Sequence, residues 1–251
     1  MLFPPNRFLM RFEKGRSKLL CSRPINFLLL PGFMNDESLW DGIRFRLEAV
    51  GTMIFADLSQ GGEISEMADE VLKTAPPRFT LIGFSMGGYV AREIARMAPE
   101  RVERLVLIAT SARADTALQQ ERKAASVEQV RRSGFHGLSR SAIAASLSLK
   151  NAEDSALIEK ITVMGRRLGE ATFLQQAGQG RKSDLDRLHS INCPTLIIAG
   201  IDDSLRTVDE AEELHAGIAG SKLAVLNGTG HMIPLEVPDA LTAAIIDWLG
   251  Q

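Results

Sequence analysis

Residues 79–97 read FTLIGFSMGGYVAREIARM, and the fold turns on how they divide. The short apolar run 79–83 predicts a buried strand, and residues 89–97 predict a helix ended at Ala98 by Pro99. Between them stands Gly83-Phe84-Ser85-Met86-Gly87-Gly88, the pattern G-x-S-x-G. A tight strand-to-helix turn lifts the serine hydroxyl out of the chain, and the flanking glycines leave room for close backbone packing. The hydroxyl then sits at a helix N-terminus, whose free N–H groups and partial positive charge favour a developing oxyanion. That context separates a nucleophile-bearing turn from a glycine-rich turn that happens to hold a serine.

The same alternation extends on both sides. Residues 26–30 (NFLLL), closed by Pro31-Gly32, predict a strand, 38–50 a helix, 52–57 a strand, 65–74 a helix stopped by Pro76-Pro77, and 104–109 a strand. It resumes with strand 195–200, helix 208–219, strand 222–226 and helix 238–249. Strand and helix in strict alternation predict an α/β fold: a mostly parallel open sheet with helices on both faces. Residues 113–190 carry almost no strand pattern and predict helices over 116–132, 139–149, 154–168, 171–176 and 183–189. The chain thus divides into a core, 25–112 with 191–251, and a helical insert, 113–190, placed to cap the strand C-terminal ends.

A chain of 251 residues, 45% of them hydrophobic, is long enough for one large domain with a sizeable core. Its net charge of −2 argues against a nucleic-acid partner, and no apolar run approaches the ~20 residues that span a bilayer. Cys21 and Cys193 are too few for a disulfide framework or a cysteine-based zinc site and suit a reducing compartment, and with no secretory signal or membrane span read in the sequence a cytoplasmic location is expected. Residues 1–24 hold six Lys/Arg against one acid but no apolar signal core. They predict a basic extension, with short strands at 7–13 and 17–22 around Gly15; a targeting peptide is the alternative.

A serine hydroxyl is a weak nucleophile at neutral pH; it needs a base, and the base needs an orienting acid. Of four histidines, His136, His189 and His215 sit in polar or helical surroundings that ask nothing of them. His231 follows strand 222–226 through Asn227-Gly228-Thr229-Gly230, in the kind of post-strand loop where functional side chains gather. The acid belongs between serine and histidine in chain order, and strand 195–200 ends in Gly200-Ile201-Asp202-Asp203. Either aspartate fits on spacing alone. An oxyanion hole needs two backbone N–H groups: Met86, just after the serine, supplies one, and the loop after the first strand supplies the other from Phe33.

LLLPGF, GFSMGG, CPTLIIAGIDD and GTGHMIPLE, in this order and spacing, resemble the α/β-hydrolase fold superfamily over roughly residues 25–250. The resemblance implies Asp203, the last residue of G-x-x-D, as the acid, and a helical cap over 113–190. The chain departs from the family at Leu30-Pro31-Gly32, where many members have His-Gly, and in a short N-terminal strand pair. The implied activity is that of a serine esterase acting on a small-molecule ester, with no metal or organic cofactor, as monomer or homodimer, without nucleic-acid or membrane partners. A lactonase, a C–C bond hydrolase, a carrier-bound acyl methyl-ester esterase and a slow-turnover ligand receptor share the same residues. Trp40, Phe84, Phe135 and Phe173, with Met164 and Leu174 behind them, are the apolar candidates for the substrate pocket.

Overall fold

The computed structural model describes residues 24–251, so the strands expected at 7–13 and 17–22, and Cys21, lie outside the described residues. Six strands form one sheet: β1 (Ile25–Leu30), β2 (Gly51–Phe55), β3 (Phe79–Phe84), β4 (Val102–Ile108), β5 (Thr195–Gly200) and β6 (Lys222–Leu226). Every pairing is parallel, in the order β2-β1-β3-β4-β5-β6. All strand C-termini therefore point the same way. The order reverses between β1 and β3, and a ligand-binding crevice opens at such a switch point in open α/β sheets.

Side chains alternate across the sheet with period two, and each set buries its own helices. Leu28, Leu30, Leu81, Leu105, Leu107 and Ile197 join Met67, Val90, Ile94 and Leu214, from α2 (Ile64–Thr74), α3 (Met86–Met97) and α7 (Val208–Gly217). Phe27, Leu29, Ile82, Val106, Ile108 and Ile198 join Ile43, Leu47, Leu241 and Ile245, from α1 (Asp41–Glu48) and α9 (Pro238–Leu249). Each of these buried apolar side chains contributes about 1.5–3 kcal/mol of transfer free energy.

Between β4 and β5 the chain is helical: α4 (Ala117–Ser133), α5 (Arg140–Ala144) and α6 (Ser155–Ala177), then a 3-10 turn at Leu185–Ser190. The two helices expected at 154–168 and 171–176 meet in α6 at Gly169, whose φ of +74° breaks the regular backbone. The helix expected over 139–149 ends early. The Ser146 carbonyl, needed to continue it, accepts instead from the N–H groups of His231 and Met232. A short helix unforeseen in the sequence, α8 (Ile233–Glu236), starts two residues after His231. No helix of the described residues is long and apolar enough to cross a membrane.

Arg92 on α3 is 2% exposed and lies against Asp184, which precedes the 3-10 turn. Its Nε and Nη2 each donate to that carboxylate at 2.8 Å, and Nη2 also donates to the Ser111 carbonyl. Arg96 adds a third contact to Asp184 at 3.0 Å. This clamp ties the helix behind Ser85 to both ends of the helical stretch between β4 and β5.

Candidate active site

Ser85 sits between β3 and α3 with φ +51° and ψ −110°. A side-chain-bearing residue at positive φ is strained by about 1–3 kcal/mol, and it persists only where its surroundings hold it. Three hydrogen bonds do so: Ser85 N–H donates to the Ile108 carbonyl, and its own carbonyl accepts from Gly88 N–H and the Thr110 hydroxyl. Gly87 is required for a different reason. A Cβ there would collide with the backbone carbonyl oxygens of Leu30 and Pro31, so only glycine lets α3 start this close to β1. The helix begins at Met86, three residues before the expected start.

The other sequence-predicted groups come from the C-terminal ends of β5 and β6. Ser85, His231 and Asp203 are 8%, 7% and 4% exposed. His231 Nε2 lies 2.9 Å from Ser85 Oγ, and His231 Nδ1 lies 2.8 Å from Asp203 Oδ2. The remaining Asp203 oxygen accepts from the backbone N–H groups of Leu205 and Arg206 at 2.8 and 2.9 Å. With both oxygens accepting, Asp203 takes the Nδ1 proton's hydrogen bond, which leaves the Nε2 lone pair for the serine O–H. Asp202 is exposed and its side chain plays no part in this line. The N–H groups of Phe33 and Met86 have no acceptor among the described residues.

His231 is also braced from behind. Glu236 Oε1 accepts from Gly230 N–H and the Thr229 hydroxyl, and Oε2 accepts from Ser148 N–H and the Asn151 amide. One carboxylate thus joins the His231 loop to the segment after α5. Within GTGHMIPLE, Glu236 carried no expected role; the density of backbone donors it serves exists only in three dimensions. Glu236→Ala leaves two backbone N–H groups without acceptors, each worth about 1–3 kcal/mol where buried. A lower thermal midpoint and a lower kcat are expected together, and Glu236→Gln, which keeps one acceptor oxygen, should fall between. A Glu236→Ala protein with unchanged melting and turnover would remove this bracing role.

The line Asp203–His231–Ser85 opens into a cavity of about 450 Å³. One part of its wall is apolar, with Phe33, Phe84, Leu138, Ile143, Ile161 and Phe173. Four of the expected pocket residues, Trp40, Phe135, Met164 and Leu174, do not line it. Trp40 is fully buried in the core on the α1 and α9 side of the sheet, and its helical spacing predicted burial without saying on which side. Phe135 is one layer back, stacked on Phe173 with ring centroids 4.8 Å apart. Met164 is likewise core rather than wall.

Another part of the wall is polar. Arg122, Lys123, Arg181 and Arg206 line it with Asp115 and Tyr89. Burial alone would push the Asp115 carboxyl up, but the Lys123 ammonium and the Arg181 N–H and guanidinium hold it below the usual carboxylate range. Burial works against the Arg206 charge too, and the Tyr89 oxygen, Glu210 and Asp203 more than offset it, raising its pKa.

Comparisons with known proteins place the chain by family and fold. The chain is 30% identical to a thermophilic esterase of Thermogutta terrifontis, solved with malate bound, over 90% of this chain and 89% of that one, with a TM-score of 0.79. It superposes on an enol-lactonase of Burkholderia xenovorans with a TM-score of 0.80, at 21% identity over 92% and 93% of the two chains, a likeness of fold. A pimeloyl-[acyl-carrier protein] methyl ester esterase of Nitrosomonas europaea is 27% identical over 85% of this chain and 91% of its own. A putative carbamate hydrolase of Rhizobium rhizogenes is 28% identical over 77% and 76%. Residues 55–238 match the Hydrolase_4 family, described as serine aminopeptidase, S33; the chain belongs to that family and is an α/β-hydrolase enzyme of esterase type.

Proposed function

We propose that this protein is a serine hydrolase that cleaves a carboxylic ester of a small or medium acyl substrate through an acyl-enzyme. The observation that carries the reading is the unbroken line of hydrogen bonds from Asp203 through His231 to Ser85, at 2.8 and 2.9 Å, opening into the cavity. Ser85 Oγ attacks the ester carbonyl while His231 Nε2 takes its proton. The carbonyl π pair moves to oxygen, and the oxyanion is held by the N–H groups of Phe33 and Met86. As the carbon–oxygen bond breaks, His231 gives the proton to the departing alcohol. Water then repeats the sequence on the acyl-enzyme, His231 taking its proton and returning it to Ser85 Oγ, and the acid is released.

Asp203 fixes the imidazole tautomer and stabilises the imidazolium formed at each proton transfer. In the same reading α4–α6 act as a cap: they bring Leu138, Ile143, Ile161 and Phe173 over the serine and exclude water from the reacting carbonyl. Hydrolysis of p-nitrophenyl esters from acetate to dodecanoate tests the assignment. Turnover with an optimum at short or medium acyl length is expected from a cavity of about 450 Å³. A folded protein that hydrolyses none of them, and that a fluorophosphonate leaves unlabelled, would overturn it.

A further inference from the structure

Tyr89 lies on α3 four residues after Ser85, one helical turn along the same face, and lines the same cavity. Its hydroxyl oxygen accepts from Arg181 Nη1 at 2.7 Å and from Arg206 Nε at 2.8 Å. The guanidinium carbons of Arg181, Arg206 and Arg92 lie 5.2, 5.9 and 5.6 Å from its ring centroid. A phenol oxygen that accepts two hydrogen bonds has only its own hydrogen left to give. That hydrogen finds no acceptor among the described residues. Arg181 Nε–H is a second unpartnered donor, and unlike the hydroxyl of half-buried Tyr89 it is fully buried. Buried donors of this kind are costly unless something accepts from them.

The charge balance points the same way. Arg122, Lys123, Arg181 and Arg206 line the cavity against the single carboxylate of Asp115. That carboxylate is already engaged: one oxygen takes Lys123 Nζ and Arg181 N–H, and the other lies 3.5 Å from Arg181 Nη2. Arg122 has no ion-pair partner among the described residues, and the Arg206 guanidinium is directed to Tyr89 and a backbone carbonyl rather than to an acid. The wall therefore presents spare donors and spare positive charge about one helical turn from the serine.

We propose that Tyr89, Arg181 and Arg206 form a carboxylate-binding subsite, so that the preferred substrate is an ester whose acyl part ends in a free carboxylate, a half-ester of a dicarboxylic acid. The inference rests on Ser85 being the nucleophile, and it adds the chemical class of the acyl group. The carboxylate accepts from the Tyr89 O–H and the two guanidiniums while the ester carbonyl reaches Ser85 across the apolar wall. A site whose unpartnered donors await an acceptor discriminates against the analogue that lacks one.

The test compares monomethyl succinate, glutarate and adipate with methyl butyrate, valerate and hexanoate as substrates of the wild-type protein. A preference of about tenfold or more in kcat/KM for the anionic series is expected, carried mainly by KM. Tyr89→Phe, which removes only the O–H, and Arg206→Gln should each shrink the ratio between the two series by about tenfold. Equal or better turnover of the neutral esters by wild type would overturn the subsite and leave the Ser85 assignment standing. Labelling by a fluorophosphonate without hydrolysis of either series would overturn the substrate class alone. Absence of both labelling and hydrolysis would remove the underlying serine mechanism and the subsite with it.

Discussion

Ser85→Ala should lower kcat by about a million-fold while leaving the thermal midpoint close to that of wild type. The size follows from the way the three groups act together. His231 can deprotonate only a group placed against its Nε2, and Ser85 Oγ is the group there, at 2.9 Å. Once the oxygen is gone, the base and its aspartate have nothing to activate. The rate that remains comes from binding and from the N–H groups of Phe33 and Met86. The fold should tolerate the change because Ser85 is held by its backbone: its N–H and carbonyl make three hydrogen bonds that alanine keeps. Steady-state turnover of a p-nitrophenyl ester, with a melting curve of the same sample, measures both quantities. A loss of less than about tenfold with the fold intact would mean that another residue attacks the substrate.

Asp184→Ala should be the most damaging substitution for stability. Arg92 is 2% exposed at its side chain and Arg96 9%, and Asp184 is the acid they share. Removing the carboxylate leaves buried Arg92 without an acid and Arg96 with Glu93 alone, and breaking a buried pair from one side costs about 3–5 kcal/mol. For a chain of this size that lowers the thermal midpoint by about 10 °C. Burial alone would raise the Asp184 carboxyl, but the two guanidiniums outweigh it and hold it below the usual range. A carboxyl with a depressed folded pKa stabilises the protein fully above the unfolded value of about 3.9, and that stability drains away as pH falls through the folded value. Denaturant melts of wild type and Asp184→Ala should therefore differ most at neutral pH and converge in acid. A gap that stays constant down to the acid limit would assign the loss to packing rather than to the ion pairs.

The elements that were easy to read in the sequence are those whose pattern reports burial directly. The apolar runs at 26–30 and 195–200 became central strands because a sheet covered on both faces needs apolar residues on both. The start of α3 was misplaced by three residues because Gly87 and Gly88 have poor helix propensity. They are there for close approach to β1 and Thr110, which no local pattern reveals. Gly169 was legible as a gap between two helices, and its positive φ is the physical reason. Trp40 is buried in the core instead of lining the cavity, because periodicity reports that a side chain is buried, not what it packs against. The spacing of Ser85, Asp203 and His231 along the chain carried their order, and the parallel sheet, with all its C-termini on one side, turns that order into proximity. Tyr89, Arg206 and Glu236 escaped notice, and Arg181 read only as one of several basic residues of the insert that could attract an anionic substrate, because their partners come from distant parts of the chain. Arg181 meets Tyr89 across 92 residues, and Arg206 meets it across 117.

The central claim is that Ser85 becomes covalently attached to the acyl group during turnover. Treating the protein with a fluorophosphonate and mapping the adduct by peptide mass spectrometry tests it most directly, because the reagent traps whichever oxygen the base activates. One adduct per chain is expected, on the peptide that holds Gly83-Phe84-Ser85-Met86-Gly87, and none on Ser85→Ala. An adduct on any other residue, or equal labelling of Ser85→Ala, would contradict the account.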